Sequence, residues 1–253
     1  IVPRGFAQGS SGSRPQQDGQ HRQDIRQQSS AQCRSLGHDD DVEVRLDEIR
    51  PPDDRWMDKC AFVEAAGYPV ILTVRAENEG GKWSGSAGER AAILERALPY
   101  VSAVDIELGN GVPAGLREDA GRRGVRLILS FHDFARTPAI GELREMVKEA
   151  RAAGADIVKI AAMVNSAADI AVLSLLASGE RGEGPVCAIG MGKRGVSSRL
   201  SLPAAGSALA YGYVDRPCAP GQLPCAVLCR RLSGTMPAFK EDLIARGRLL
   251  ERI

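Results

Sequence analysis

From residue 41 onward the chain alternates between short apolar segments and longer amphipathic ones. Residues 42–46 alternate apolar and charged side chains, as a half-buried strand does. Residues 55–66 carry helical spacing and stop at Gly67. The pattern then repeats. Further strands are predicted over 70–75, 103–108, 125–131, around Lys159, over 186–191 and over 207–214. Further helices are predicted over 89–98, 114–123, 140–153, 167–177 and 224–232, with Arg199 on a short helix of its own. Strands separated by helices pair in parallel, with the helices crossing over the sheet. Seven such units follow residue 40. A (β/α)8 barrel needs one more, and no strand and helix are legible before Val42.

Residues 1–40 have a different texture. Ser10-Ser11-Gly12-Ser13 and Gln27-Gln28-Ser29-Ser30 belong to a polar, low-complexity run. Such a run cannot bury enough surface to offset its chain entropy, so residues 1–40 are expected to be disordered or aberrant. Residues 41–232 are expected to form the catalytic domain, and 233–253 a tail or a short helix. The formal net charge of +1 leaves no electrostatic footprint for nucleic acid. No apolar run is long enough to span a bilayer. The six cysteines lack paired C-x-x-C spacing, and Cys225 and Cys229 sit four apart as a helix would pack them. A reduced, cytoplasmic protein is expected.

The chemistry centres on Ala155-Asp-Ile-Val-Lys159-Ile-Ala161, a buried strand with one lysine in it. If Lys159 points inward, burial should push its amine toward neutrality, and a neutral amine attacks carbonyls. The alternative is a strand-end lysine reaching out to water. Strand periodicity puts Glu43, Arg45 and Asp47 on one face, likewise Thr73 and Arg75, and likewise Asp105 and Glu107. His132 is expected immediately after its strand, with Asp133 capping the turn. In a barrel such residues converge at the strands' C-terminal ends. Each has a structural reading too: an ion-pair network on the barrel floor, acids that neutralise arginines, a capping histidine. A divalent metal held by Glu43, Asp105, Glu107 and His132 is disfavoured by the arginines and by Lys159 nearby. Lysine and histidine without metal suit imine formation followed by proton abstraction. The arginines suit an anionic, hydroxylated substrate.

Several segments together resemble type I 3-dehydroquinate dehydratase. They are Glu43-Val-Arg45-Leu-Asp47, Leu72-Thr73-Val74-Arg75 with Glu79-Gly80-Gly81, Asp105-Ile-Glu107, Ser130-Phe-His132-Asp133-Phe134 with Thr137-Pro138, Asp156-Ile-Val-Lys159, Met191-Gly-Lys193-Arg-Gly195-Val-Ser-Ser-Arg199 and Ala219-Pro220-Gly221-Gln222. The resemblance runs from about Asp41 to about Leu232, in family order. It implies an α/β fold, a (β/α)8 TIM barrel whose first β/α unit is missing or replaced here. It implies a lyase that dehydrates 3-dehydroquinate to 3-dehydroshikimate, without cofactor or metal, as a homodimer. Lys159 matches the Schiff-base lysine, His132 the acid–base histidine and Glu79 its carboxylate partner. Arg199 matches the clamp on the substrate carboxylate. Glu43, Arg45 and Arg75 match the group that holds the ring hydroxyls, and Gln222 the lid glutamine. Asp105 and Glu107 match supporting acids.

Two departures stand out. The family's lid serine is Cys218 here, and a thiol is the poorer hydrogen-bond partner, so weaker lid contacts and a higher KM are expected. The absent first unit exposes strand edges. Two other readings remain at this stage. One is a class I aldolase-type barrel, which would place a Gly-rich phosphate site near Gly190 and Gly192. The other is a non-catalytic relative of the family.

Overall fold

The computed structural model describes residues 41–245 except 50, 52, 114 and 180–183. The expectation for residues 1–40 therefore falls outside the described residues.

Six parallel strands form one curled sheet in sequence order: β1 (Val42–Arg45), β2 (Val70–Thr73), β3 (Ala103–Glu107), β4 (Arg126–Asp133), β5 (Ile157–Met163) and β6 (Val186–Met191). Between them run α1 (Leu46–Ile49), α2 (Arg55–Ala65), α3 (Ala87–Ala97), α4 (Leu116–Arg123), α5 (Ile140–Ala152) and α6 (Ala167–Gly179). The short α7 (Ser198–Ala205) follows β6 and carries Arg199. A two-stranded pair, β7 (Gly212–Tyr213) and β8 (Leu223–Pro224), comes next, then α8 (Cys225–Thr235) and α9 (Pro237–Ala245). This is the α/β, TIM-barrel-like architecture that strict alternation of strand and helix dictates. Among the described residues no helix is long and apolar enough to cross a membrane.

The two faces of the sheet do different work. Side chains alternate along each strand, and the register keeps that alternation in step from β1 to β6. One set, including Leu72, Val104, Ile106, Leu127, Leu129, Val158 and Ile160, packs under the helices in the main core. The helices answer with matching stripes: α5 buries Leu143, Val147 and Ala150, three and four residues apart. The other set lines the concave face. Its lower part is an apolar plug of Ile71, Ala103, Ile128, Ile157, Cys187 and Leu209. Above the plug β2 to β5 turn polar, whereas β6 stays apolar with Ile189 and Met191.

Helix α3 begins earlier than periodicity suggests. Ser86 caps it, with Glu89 returning a bond to the Ser86 backbone, a reciprocal capping pair that Ser86-x-x-Glu89 spells out.

The strand expected over 207–214 is mostly absent. Only Gly212 and Tyr213 pair, and they pair with β8. The reason lies at Ser207. Its backbone neighbour Ala208 donates to Val186 O, as a strand would. The Ser207 hydroxyl then takes the Ala188 N–H at 2.9 Å and also donates toward Ala188 O and Leu209 O. A side chain thus occupies the bonds on β6 that a seventh strand would have used.

Candidate active site

The concave face presents Glu43 from β1, Asp105 and Glu107 from β3, Ser130 and His132 from β4, and Lys159 from β5. All belong to the inward-pointing set fixed by the strand register. Arg45 ends β1, and Arg75 follows β2 by two residues. A pocket opens onto this face. Glu43, Arg45, Arg75, Glu79, His132 and Lys159 line it, together with Arg199, Tyr211, Cys218 and Gln222 from beyond β6.

The floor is a layer of matched charges. Lys159 Nζ lies 2.8 Å from Asp105 Oδ2 and 3.4 Å from Glu43 Oε1. Asp105 Oδ1 in turn accepts from Arg75 Nη2 at 2.9 Å and from the Ser130 hydroxyl at 2.6 Å. Arg75 also reaches Ser130 and Glu107. Glu107 spans Arg75 and Arg90, a buried arginine of α3, and accepts the Ala76 N–H. Every acid here faces a cation and every cation an acid, which is the condition under which charge survives burial.

The resting lysine differs from the sequence expectation. Burial alone would lower its pKa, but the carboxylates of Asp105 and Glu43 outweigh burial and raise it above the ordinary value. The expectation treated the amine as unpaired, and the structure pairs it twice. Burial likewise pushes Asp105 up. Arg75 and Lys159 overcome that and hold it well below the usual carboxylate range. The four acids and bases once weighed as metal ligands are engaged otherwise: Lys159 fills the position between Asp105 and Glu43 where a cation would sit.

His132 and Glu79 form a pair, Nδ1 to Oε2 at 2.8 Å. Glu79 ends a 3-10 turn (Glu77–Glu79) that closes on Gly80 in the left-handed region, φ 76°. A side chain at Gly80 would strike Phe134, whose ring stacks near His132. The turn is held from below, because Asp47 accepts the N–H groups of Arg75 and Lys82 and Glu107 accepts that of Ala76. Burial raises Glu79 to about 7, with Glu107 and Asp105 adding to the effect and Arg75 opposing it. Burial lowers His132 well below its ordinary value, and Arg75 and Lys159 act the same way. The imidazole is therefore neutral near neutral pH, next to a carboxyl that titrates there.

Arg199 is 5% exposed, yet its Nε has no hydrogen-bond partner among the described residues. Its Nη2 reaches Pro220 O at 3.4 Å. Burial lowers its pKa to about 10, which leaves it charged at neutral pH. The lid segment is docked here. Gly192 N–H donates to Pro220 O at 3.2 Å. Gly221, φ 78°, lies so close that an added Cβ would meet Gly192 O at 2.4 Å. Gln222 Oε1 accepts the Cys218 N–H at 2.9 Å, and the exposed Cys218 thiol points to Arg216 O at 3.8 Å. Gly190 and Gly192 are packed against Ser198 and the lid. They do not form the open phosphate cradle that an aldolase-type site requires.

Several placements differ from the strand-based reading. Asp47 does not share a strand with Glu43; it lies on α1 and chelates Arg45 from there at 3.0 and 2.8 Å. β4 continues through Asp133, so His132 stands on the strand and not after it. Asp133 accepts the N–H groups of Ala135 and Arg136, a capping arrangement. Tyr211 was missed altogether. Its only sequence signal was an aromatic residue inside a poorly formed strand. Ser130 was quoted as part of a motif, but its role as a bridge between Arg75 and Asp105 is visible only in three dimensions.

Comparison with known proteins gives the family and the fold. The family described as Type I 3-dehydroquinase matches residues 23–233. The 3-dehydroquinate dehydratase of Methanocella arvoryzae is 37% identical over 185 residues, covering 73% of this chain and 82% of the relative. The crystal structure of 3-dehydroquinate dehydratase from Geobacillus kaustophilus superposes with a TM-score of 0.73 at 28% identity, covering 85% of this chain and 86% of that one. A type I 3-dehydroquinate dehydratase from Clostridium difficile, solved with covalently modified comenic acid, gives a TM-score of 0.69 at 27% identity, with 86% and 88% covered. A fold, a charged inner face and a sequence match that all coincide place this chain in the type I 3-dehydroquinate dehydratase family.

Proposed function

We propose that the chain dehydrates 3-dehydroquinate to 3-dehydroshikimate through an imine on Lys159. The observation that carries the reading is the pocket itself, where an amine, a neutral imidazole and a guanidinium whose Nε has no partner among the described residues open onto one cavity. Lys159 rests as a charged amine, so a proton must leave before its lone pair attacks the C3 ketone. The carboxylates in contact, Glu43 and Asp105, are the nearest acceptors. The carboxylate returns that proton to the carbinolamine hydroxyl, which leaves as water, and the iminium that forms keeps a positive charge opposite the same two carboxylates. The iminium draws electrons from the neighbouring C–H, and His132 takes the C2 proton. The resulting enamine expels the C1 hydroxyl, which leaves as water with the proton His132 returns. Water then hydrolyses the product iminium and frees Lys159. Glu79, ionised, accepts a hydrogen bond from the Nδ1–H of His132 and leaves the Nε2 lone pair toward the substrate. Arg199 takes the carboxylate, Glu43, Arg45 and Arg75 hold the ring hydroxyls, and Gln222 and Cys218 close the lid over them. Asp105 and Glu107 keep the charges in place.

The likeness to the Clostridium difficile enzyme, described with a covalently modified ligand, supports a covalent route. The resemblance also carries a cytoplasmic homodimer. Light scattering at twice the chain mass supports the dimer, and the single-chain mass contradicts it.

Borohydride trapping tests the mechanism. Reduction in the presence of 3-dehydroquinate is expected to leave an adduct on the peptide that carries Lys159, and an unmodified Lys159 with turnover intact contradicts the imine. His132→Ala should lower kcat by about 10²–10⁴-fold while the adduct still forms. The pH profile follows from Glu79. Below about 7 its carboxyl is protonated and the base-competent pair is lost, so kcat/KM should rise as pH climbs through about 7. Glu79→Gln should flatten that step, and an unchanged profile in this variant contradicts the assignment.

Arg199→Ala should raise KM by about 10- to 150-fold, the loss of a charge-assisted hydrogen bond of about 1.5–3 kcal/mol. Its melting temperature should not fall, because a buried charge with no anion paired to it among the described residues is removed. A destabilised variant with unchanged KM would show that Arg199 is structural.

A further inference from the structure

The amine of Lys159 has a third neighbour besides its two carboxylates. The ring of Tyr211 lies across it, with Nζ 4.4 Å from the ring centre. That is inside the distance of about 6 Å at which an aromatic face attracts a cation. The hydroxyl does not make this contact: it is enclosed and has no hydrogen-bond partner among the described residues. Burial, with Glu43 next, raises the phenol well above its ordinary value, so it stays neutral and adds no charge beside the lysine. The ring is held in place from behind. It packs on the inner apolar plug, and the adjoining Gly212 approaches α8 so closely that a Cβ would meet Cys225 Cα at 2.7 Å.

We propose that Tyr211 is a positioning residue for Lys159: the face of its ring holds the charged amine, and then the iminium made from it, against Asp105 and Glu43. The second half of this proposal rests on the imine reading above, and the first half stands without it. Ammonium plus ketone gives iminium plus water, so the positive charge persists across the step and the ring serves both species. What the ring opposes is the neutral amine in isolation. The other groups that face or influence the amine are Asp105 from β3, Glu43 from β1, Arg75 beyond β2, His132 from β4 and Cys187 from β6. None is altered by a change confined to the ring.

The test is the titration of Lys159 in the full chain without substrate. It is read as the pH dependence of acetylation by acetic anhydride at the Lys159 peptide, quantified by mass spectrometry. Tyr211→Phe should keep the wild-type midpoint, because the face is retained. Tyr211→Leu should lower it by about 0.4–1.5 pH units, a change of about 2- to 30-fold in the ratio of ammonium to amine. Mono-, di- and pentafluorinated phenylalanines placed at 211 should lower it stepwise as the ring face loses its negative potential. These rings nearly keep the shape of phenylalanine, so they report even where Tyr211→Leu fails to fold. A midpoint unmoved across the fluorinated series overturns the proposal, as does a Tyr211→Phe shift equal to that of Tyr211→Leu. Borohydride trapping of the wild type separates the two readings. An adduct together with a flat series removes the ring proposal alone. No adduct together with a stepwise series overturns its iminium half and the imine reading with it.

Discussion

One carboxylate holds two buried cations in this structure. Asp105 grips Arg75 with one oxygen and Lys159 with the other, and it is enclosed on all sides by the strands that carry its partners. Charges buried singly in such a place would be prohibitively costly. Paired in this way they form a layer: Glu43 shares Lys159, and Glu107 shares Arg75 and passes the balance on to Arg90. Losing Asp105 takes a partner from both Arg75 and Lys159 at once, so residues proposed for the chemistry are also ones on which the fold depends.

The fold prepares this layer in a simple way. A parallel sheet whose strands stay in register puts alternate residues on one face. On the lower part of that face the alternate residues are apolar and fill the interior. Two residues further along they become Thr73, Asp105, Ser130 and Lys159 on β2 to β5, and the polar layer appears at a single level, while β6 stays apolar with Ile189. The loop after β2, pinned by Asp47 and Glu107, brings Glu79 over His132. The segment around Pro220 folds back on Gly192 and lies beside Arg199. Arg199 is the exception that points outward from structure to function. It is the buried guanidinium in this pocket whose Nε has no partner among the described residues, which is why the proposed function gives it the substrate carboxylate.

Much of this was legible in the sequence because period-two spacing survives translation into structure. Glu43, Asp105 and Glu107 face inward as their spacing predicted, whereas the direction of Lys159 was open between the interior and water, and His132 was expected beyond its strand. What spacing could not supply was distance between strands. The protonation of Lys159 was misjudged because its partners, Asp105 and Glu43, lie 54 and 116 residues away in the chain. Asp47 was placed on a strand because the alternation of Glu43 and Arg45 continues through it, whereas the backbone has already turned into α1. The segment over 207–214 has strand-like composition. Its pairing is lost to a single hydroxyl, that of Ser207, which no propensity scale anticipates. Tyr211 was invisible for the same reason, since its contact exists only once that segment crosses the pocket.

The central claim is that Asp105 secures both Arg75 and Lys159, so that the site and the fold stand on one carboxylate. Urea unfolding of Asp105→Asn tests it most directly, because the amide keeps the shape and removes the charge. The account predicts a loss of about 3–5 kcal/mol of unfolding free energy, the cost of stranding buried charges. A loss below about 1 kcal/mol, with the fold intact, would mean that the two cations find other partners and that the layer does not depend on Asp105.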